Sequence, residues 1–268
     1  MNTLFNYIPR LAWVLSGKNP LHFVRTISRL YIFAIDRNYL KSKRTTEYYI
    51  KGFYNGIVLD FYLQEPIDIA VLVEVFVFKE YSWKLDQDPK VIVDLGAHFG
   101  DTALYYHAVY PDAQIIAVEP SPENYARLVR HTKHIPNITT VQAAVGVTDG
   151  MMQLHLSNSS LGHSVVQRTS EDKQVAVRQI SLPTLYDEHN ITKADLLKFD
   201  IEGAEFELLA SLDIEKIAKS YIGELHFDLD KRASIESVNK KFIQFNSELQ
   251  QLGNRKRFII KLSLSATS

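Results

Sequence analysis

The 268-residue sequence contains no cysteine, no long apolar run and almost no net charge. Without cysteine, the chain has no disulfide framework, no thiolate zinc site and no cysteine nucleophile. No stretch approaches the length of a membrane-spanning helix, and the apolar run Leu11–Leu15 is too short for the core of a signal peptide. A net charge of −1 gives no reason to expect nucleic acid as the main partner. These absences predict a globular cytoplasmic protein.

Basic residues are concentrated in the first 44 positions, where Asp36 is the one acidic residue. The lysines and arginines of this segment are Arg10, Lys18, Arg25, Arg29, Arg37, Lys41, Lys43 and Arg44. A predicted helix there places four apolar side chains on one face: Val24, Ile27, Tyr31 and Ile35. We favour an arm that packs on the main domain with its charges in solvent. Peripheral contact with a membrane surface, or with an anionic substrate, is the alternative.

The chain is predicted to divide into an N-terminal helical and hairpin extension, residues 1–87, and a main domain, residues 88–268. In the extension, β-rich runs flank Asn55-Gly56 and predict a hairpin over residues 48–63, because both turn positions need a positive φ. Residues 66–81 suit either a helix or a strand. The sequence gives no indication of the oligomeric state.

From Lys90 onward, short apolar runs alternate with helical segments. Strands are predicted at residues 91–95, 114–118, 138–145, 196–199, 221–227 and 258–262. Helices are predicted at residues 101–110, 122–134, 204–211 and 233–251, and a short one opens at Ser181. Residues 149–180 predict a β-hairpin with a loop at its tip. The alternation is typical of an α/β fold, a Rossmann-like, doubly wound and mostly parallel sheet with helices on both faces.

The stretch VIVDLGAHFG, residues 91–100, combines a buried strand, a glycine turn and the start of a helix. In doubly wound folds, ligands bind at the carboxyl end of such a strand. Gly96 allows a tight turn and the close approach of a ligand, and Gly100 lets the helix pack on the strand. The spacing from Asp94 is D-x-G-x-x-x-G and lacks the dinucleotide motif G-x-G-x-x-G.

Acidic side chains follow the predicted strands and indicate the charge of the ligand. Glu119 ends the second strand, where an acid accepts hydrogen bonds from the ribose hydroxyls of an adenosine; a carboxylate that only caps the next helix is the alternative. With Asp94, Asp101, Asp200 and Glu202 it forms an acidic rim. Such a rim repels a pyrophosphate and suits a cation. S-adenosylmethionine carries both an adenosine and a positive sulfonium, so we predict it as the cofactor.

Three residues near the ends of the fourth and fifth strands are candidates for acid–base chemistry. Asp200 is the best-placed base for removing the proton of an acceptor hydroxyl, and Glu202 would orient it or the substrate. His226 would act as a general base in the same crevice. The alternative is a histidine that is only hydrogen-bonded in the core. The alternative for both acids is the capping of a helix.

The polar tip of the predicted hairpin is the candidate contact for the acceptor. Its residues are Ser160, Gly162, His163 and Ser164; a mobile surface loop is the competing interpretation. No spacing of the H-x-x-E-H type is present, so no metal site is predicted; a metal held by Asp200 is the alternative, which no motif supports.

Five sequence blocks occur in an order that resembles the FkbM-type methyltransferases. The blocks are VIVDLGAHFGDT, IIAVEPSPENY, SLGHS, LLKFDIEGAEFELL and IGELH, and together they span about residues 88–230. The resemblance implies a class I methyltransferase fold and S-adenosylmethionine-dependent methylation, mostly of hydroxyl groups on sugars or polyketides.

The resemblance also implies a set of cofactor contacts: Asp94, Gly96, Ala97, His98, Gly100, Thr102, Glu119, Pro120, Ala144 and Asp200. Within the set, Glu119 would hold the ribose, and Asp200, Glu202 and Gly203 would stand beside the transferable methyl group. The sequence departs from the family at His98, where the family usually has Asn. It also shows only one strand after the helix predicted at 233–251, so we expect the seventh strand of the sheet to be short or missing.

We therefore predict an S-adenosylmethionine-dependent O-methyltransferase that acts on a small-molecule or glycan acceptor. A nicotinamide-dependent oxidoreductase is one alternative, disfavoured by the missing glycine and the acidic rim. A non-catalytic binding module that keeps the fold is the other. The sequence does not identify the acceptor.

Overall fold

The computed structural model describes residues 2–37, 47–156, 173–211, 213–229, 245–252 and 257–264, together with residues 236, 238, 240 and 242. The chain forms two compact units. The first contains residues 1–82 and 100–111, and the second contains residues 83–99 and 112–268. Among the described residues, no helix combines the length and the apolar character needed to span a bilayer. The division at residue 87 stays a prediction.

Over its described residues, the first unit consists of four helices and a hairpin. Its elements are α1 (Asn2–Leu15), α2 (Pro20–Ile35), β1 (Tyr48–Tyr54), β2 (Ile57–Leu63), α3 (Pro66–Leu72) with a π-helical continuation (Val73–Phe78), and α4 (Asp101–Val109). The predicted hairpin is confirmed, and its turn residues Asn55 and Gly56 have φ values of 49° and 81°. The segment that suited either a helix or a strand is helical as far as Phe78.

Aromatic rings form much of the core of this unit. The ring of Phe76 packs edge-on against Tyr54, Phe61 and Tyr105, with centroids 5.2, 5.6 and 5.6 Å away. Edge-to-face contacts of this kind add to the free energy gained by burying the rings. They join the hairpin, the π-helical turn and α4 within the unit.

Helix α2 buries a different face from the one that the sequence pattern indicated. Its buried residues are Thr26, Leu30, Phe33 and Ala34. Val24 and Ile35, expected on the packed face, are 61% and 46% exposed. A stripe of apolar side chains therefore lies in solvent along α2, formed by Leu21, Val24, Ile32 and Ile35. We call it the α2 stripe.

The second unit is built on a seven-stranded sheet. Its elements in chain order are β3 (Val91–Leu95), β4 (Gln114–Val118), α5 (Pro122–Thr132), β5 (Ile138–Val141), β6 (Ala144–Gly146), β7 (Gly150–Leu156), β8 (Lys173–Ser181), α6 (Leu182–Glu188), β9 (Ala194–Phe199), α7 (Glu205–Ser211), α8 (Ile214–Ile217), β10 (Ala218–His226), β11 (Phe245–Gln251) and β12 (Arg257–Leu264). The strand order is β11-β12-β10-β9-β3-β4-β5. Strand β12 runs antiparallel to both neighbours, and β10, β9, β3, β4 and β5 are mutually parallel.

The strand order places a crevice at the carboxyl ends of β3 and β9. The chain moves outward from β3 to β4 and β5, and then returns to the other side of β3 to form β9. Right-handed crossovers in opposite directions put the connecting segments on opposite faces, as expected for a doubly wound sheet. The point at which the winding direction reverses is where such sheets bind ligands.

Two predictions about the strands are wrong. The strand predicted at 138–145 is divided: β5 belongs to the main sheet, whereas β6 pairs with β8 in a three-stranded sheet completed by β7. The helix predicted at 233–251 is wrong over residues 245–251, which form β11, so the sheet has its seventh strand. Glu, Leu and Gln favour a helix there, but pairing with β12 along the sheet edge outweighs this propensity.

The predicted excursion over residues 149–180 is confirmed as the antiparallel pair β7 and β8. Its tip, residues 157–172, lies outside the described residues. The proposed acceptor contacts Ser160, Gly162, His163 and Ser164 belong to that segment and stay a prediction.

Candidate active site

The turn after β3 is fixed against two neighbouring segments of the second unit. The backbone N–H groups of Gly96 and Ala97 donate to the carbonyl oxygen of Val118, at 2.9 and 3.0 Å. Gly96 has a φ of 75°, and a Cβ atom added there would overlap the carbonyl oxygen of Asp200. Glycine is therefore required because the segment after β9 approaches the turn, and the predicted contact of Gly96 with a ligand stays a prediction.

A buried ion pair supports the same turn. Lys198 Nζ lies 3.2 Å from Asp94 Oδ1, and both side chains are almost completely buried. The ammonium group also donates to the carbonyl oxygens of Gly96, at 2.7 Å, and Leu95, at 3.3 Å. Asp94 therefore stabilises the backbone of the turn indirectly, because it holds the Lys198 ammonium group that donates to the turn. Sequence reasoning missed Lys198, although a lysine within the apolar run LLKF is a signal for a buried, paired charge.

Glu119 lies at the carboxyl end of β4 and is 5% exposed. Its carboxylate accepts the backbone N–H groups of His98, at 3.0 Å, and Ser121, at 2.9 Å. Burial raises the pKa of Glu119 to about 7, although those N–H groups and the charges of His98 and Lys198 act to lower it. A carboxylate offers about four acceptor positions, so the group has the capacity to accept two further hydroxyl donors.

The remaining predicted cofactor contacts lie in four different segments of the chain: the turn after β3, the start of α4, the end of β4 and strand β6. His98 follows Ala97 with a φ of 49°, a region that Asn and His adopt more readily than most residues. Gly100, with a φ of 97°, and the buried Thr102 begin α4 in the first unit. Pro120 is half-buried after Glu119. Ala144 lies in β6 and packs with Leu154 and Val177.

A cluster of ionisable side chains occupies the carboxyl ends of β9 and β10. Asp200, Glu202 and Glu205 follow β9, and His226 ends β10. The Nδ1 of His226 donates to Glu205 Oε1 at 2.7 Å, and both side chains are fully buried. Glu205 also accepts the backbone N–H of Gly203 at 3.0 Å. The three residues predicted for acid–base chemistry, Asp200, Glu202 and His226, are therefore brought together.

The second ring nitrogen of His226 faces carboxylates. Its Nε2 lies 3.4 Å from Glu202 Oε2, 3.4 Å from Glu224 Oε1 and 3.8 Å from Asp200 Oδ1. Within the described part of the chain, this buried nitrogen makes no hydrogen bond. Burial alone would lower the pKa of His226, but the hydrogen bonds and charges of the surrounding glutamates raise it to about 11.

Arg257 enters the cluster from β12, where it stands opposite His226. Its guanidinium nitrogens lie 3.5 Å from Glu224, 3.6 Å from Asp228 and 3.8 Å from Glu202. Sequence reasoning missed this residue because nothing local shows that β12 pairs with β10. Among the described residues, the carboxylates of the cluster outnumber its cationic side chains; they are Asp200, Glu202, Glu205, Glu224 and Asp228. The excess of negative charge favours a cationic ligand.

These features define a class of protein. The sheet order with one antiparallel strand, the glycine turn after β3 and the acid after β4 are those of a class I S-adenosylmethionine-dependent methyltransferase. The donor set fits the cofactor, because Glu119 offers acceptors for ribose hydroxyls and the acidic cluster suits a sulfonium.

Comparison with known proteins gives the family. The model of the methyltransferase FkbM domain matches residues 94–256, and the chain belongs to this family. Methyltransferase 1 of Beauveria bassiana is 29% identical, over 63% of this chain and 72% of its own. The hexuronic acid methyltransferase AglP of Haloferax volcanii is 21% identical, over 65% of this chain and 71% of its own.

The chain is also similar to a solved structure, the fibrillarin of Aeropyrum pernix in complex with natively bound S-adenosyl-L-methionine. It has a TM-score of 0.46 and 13% identity, over 79% of this chain and 81% of its own. The family assignment confirms the resemblance seen in the sequence. The protein is an S-adenosylmethionine-dependent methyltransferase, which decides against the oxidoreductase and the non-catalytic module.

Proposed function

We propose that the enzyme methylates a hydroxyl group on a small polar or glycan acceptor and that Asp200 takes the hydroxyl proton. The observation that carries the proposal is the exposure of the clustered carboxylates. The side chain of Asp200 is 27% exposed and that of Glu202 is 19% exposed, whereas His226 is fully buried. Asp200 is thus the member of the trio best able to touch an acceptor. That a relative is named a hexuronic acid methyltransferase supports a sugar-like acceptor.

The cofactor supplies an electrophilic methyl group on a positive sulfonium. Glu119 would hold it by accepting hydrogen bonds from the ribose hydroxyls, and the acidic cluster would offset the sulfonium charge. Asp200 would accept the proton of the acceptor hydroxyl as the new carbon–oxygen bond forms and then release that proton to solvent. The cofactor would supply the methyl group and leave as S-adenosylhomocysteine, so that the electron pair of the broken carbon–sulfur bond would remain on sulfur.

His226 is a positioning residue in this mechanism. Its ring is held by Glu205 on one side and faces Asp200 and Glu202 on the other. Because the ring has no exposed surface, it acts on the acceptor through those carboxylates. In this proposal Asp200 is the base and Glu202 orients the acceptor, whereas the sequence left Asp200, Glu202 and His226 as candidates.

We further propose that the first unit contacts an anionic lipid surface. Arg25 and Arg29 are exposed on α2, and at helical spacing they border the α2 stripe. Beside them lies a cavity of about 250 Å³ whose lining includes Arg25, Arg29 and Lys51. An apolar stripe edged by basic residues is the pattern of a helix that lies in a membrane interface.

The proposed reaction is tested with Asp200→Asn, which keeps the shape of the side chain and removes its ability to accept a proton. We expect methyl transfer to hydroxylated acceptors, including uronic acids, to fall by roughly 10²–10⁴-fold. The affinity for S-adenosylhomocysteine, measured by calorimetry, should stay within about threefold.

Glu215→Gln is the matched control, because Glu215 is exposed on α8 and stands outside the cluster. Glu215→Gln should leave both methyl transfer and the affinity for S-adenosylhomocysteine unchanged. A collapse of S-adenosylhomocysteine affinity in Asp200→Asn would assign Asp200 to the cofactor site. Transfer to nitrogen or carbon acceptors, with none to hydroxyl groups, would refute the proposed reaction.

A further inference from the structure

We propose that Asp200, Glu202 and His226 form a divalent-cation site and that, resting on the proposed O-methylation, the cation binds the acceptor hydroxyl beside the transferable methyl group. One ligating atom from each residue lies within 4.8 Å of the other two. The three come from the carboxyl ends of neighbouring parallel strands, which meet at the crevice of the sheet. Sequence spacing gave no metal signature because the histidine and the carboxylates lie on different strands.

The orientation of the buried His226 ring is a second observation that supports the site. The Nδ1–H is committed to the fully buried carboxylate of Glu205, which leaves Nε2 directed at Asp200 and Glu202. Metal-ligating histidines have this arrangement, in which a carboxylate holds one ring nitrogen and the other binds the ion. The buried Nε2, which makes no hydrogen bond to any described residue, gains a partner when a cation binds.

The negative charge of the cluster also supports a cation site. Among the side chains that the structure describes, five carboxylates surround one arginine and one histidine, and Glu224 Oε1 lies 3.4 Å from the same Nε2. Such a concentration of negative charge favours the binding of a cation.

The ligand set indicates which ions fit. Carboxylate oxygens with one imidazole and no thiolate suit Mn²⁺ or Mg²⁺. Three protein ligands leave positions of an octahedral ion open for water or for acceptor oxygens. A hydroxyl bound there has a lowered pKa, so its proton passes more readily to Asp200 and then to solvent.

The test is a titration of the chelator-treated full chain with MnCl₂, followed by calorimetry and by the electron paramagnetic resonance signal of free Mn²⁺. We expect one saturable site per chain. Glu202→Gln, at a partly exposed position, should weaken binding at least tenfold, and Glu205→Gln should weaken it by about 10–100-fold through the histidine. Glu215→Gln should bind as the wild type does. Circular dichroism confirms that each variant is folded.

The outcomes separate this inference from the proposed function. Absence of saturable binding, or equal affinity in wild type and Glu202→Gln, overturns the cation site. Undiminished hydroxyl methylation in excess chelator also overturns it and leaves the proposed function intact. One Mn²⁺ site that depends on Glu202, in an enzyme that methylates no hydroxyl acceptor, supports the cation site and refutes the proposed function.

Discussion

The raised pKa of Glu119 predicts how cofactor affinity changes with pH. If ribose hydroxyls donate to Glu119, the ligand binds the ionised carboxylate in preference to the protonated one. With a pKa of about 7 in the free protein, the ionised fraction is about 0.9 at pH 8 and about 0.09 at pH 6. The affinity for S-adenosylhomocysteine should therefore fall about tenfold over this interval, or about 1.4 kcal/mol.

Calorimetry measures this change directly, and S-adenosylhomocysteine is preferred because it lacks the sulfonium charge. At pH 6 the binding enthalpy should also depend on the buffer, since ionisation of Glu119 on binding releases close to one proton. Glu119→Gln should bind more weakly at pH 8 and lose the pH dependence. Equal wild-type affinity at pH 6 and 8, with no proton release, would refute the ribose contact.

The raised pKa of Glu119 also makes the stability of the folded protein depend on pH. The pKa of Glu119 is about 7 in the folded protein and about 4.5, its ordinary value, in the unfolded chain. The folded state therefore binds the extra proton between pH 4.5 and 7. Stability is lost as the pH rises through this window, by up to about 3 kcal/mol. The difference in unfolding free energy between wild type and Glu119→Gln, measured with denaturant across this range, isolates the effect.

Three further predictions concern the turn, the buried ion pair and the α2 stripe. Gly96→Ala should lower the free energy of unfolding by more than about 2 kcal/mol, measured by chemical denaturation, because the new methyl group overlaps the β9 end at a positive φ. Lys198→Met should lower it by about 3–5 kcal/mol in the same assay, because Asp94 is left as a buried charge without its cation. Leu21→Asp with Ile32→Asp should reduce co-flotation with phosphatidylserine vesicles about tenfold, because the apolar contact is lost.

Each of these has its own control. Gly56→Ala also changes a glycine with positive φ but meets no atom within 4 Å, so it should destabilise less than Gly96→Ala. Lys219→Met removes a largely exposed partner of Asp195, and a loss as large as that of Lys198→Met would contradict the role of burial. Vesicles of phosphatidylcholine alone should bind wild type weakly, and equal binding to both vesicle types would refute the electrostatic part of the membrane proposal.

The sequence predicted those parts of the fold that depend on local signals. Apolar runs identified β3, β4, β9 and β10, the pair Asn55-Gly56 identified the hairpin turn, and Ser121 followed by Pro122 identified the start of α5. In the site, acids at strand ends identified Glu119, Asp200 and Glu202, because parallel strands bring their carboxyl ends to one edge.

The parts that depend on pairing between distant segments were missed. Residues 245–251 have the composition of a helix and form β11 only because β12 lies beside them. Arg257 reaches the cluster through that same unpredicted arrangement. The role of Lys198 depends on carbonyl groups of another strand. The sequence likewise contains no sign that Gly96 meets Asp200.

The contact between the Gly96 α-carbon and the Asp200 carbonyl oxygen constrains how this enzyme can evolve. The two turns have no space between them, so an insertion or a change of backbone path in one turn would displace the other. An enzyme that evolves from this one to methylate a new acceptor must therefore keep the backbone of both turns. It can change side chains, or segments inserted elsewhere. The β7–β8 hairpin pairs with β6 and with neither β3 nor β9, so a change in its length alters neither of the strands that lead into the two turns.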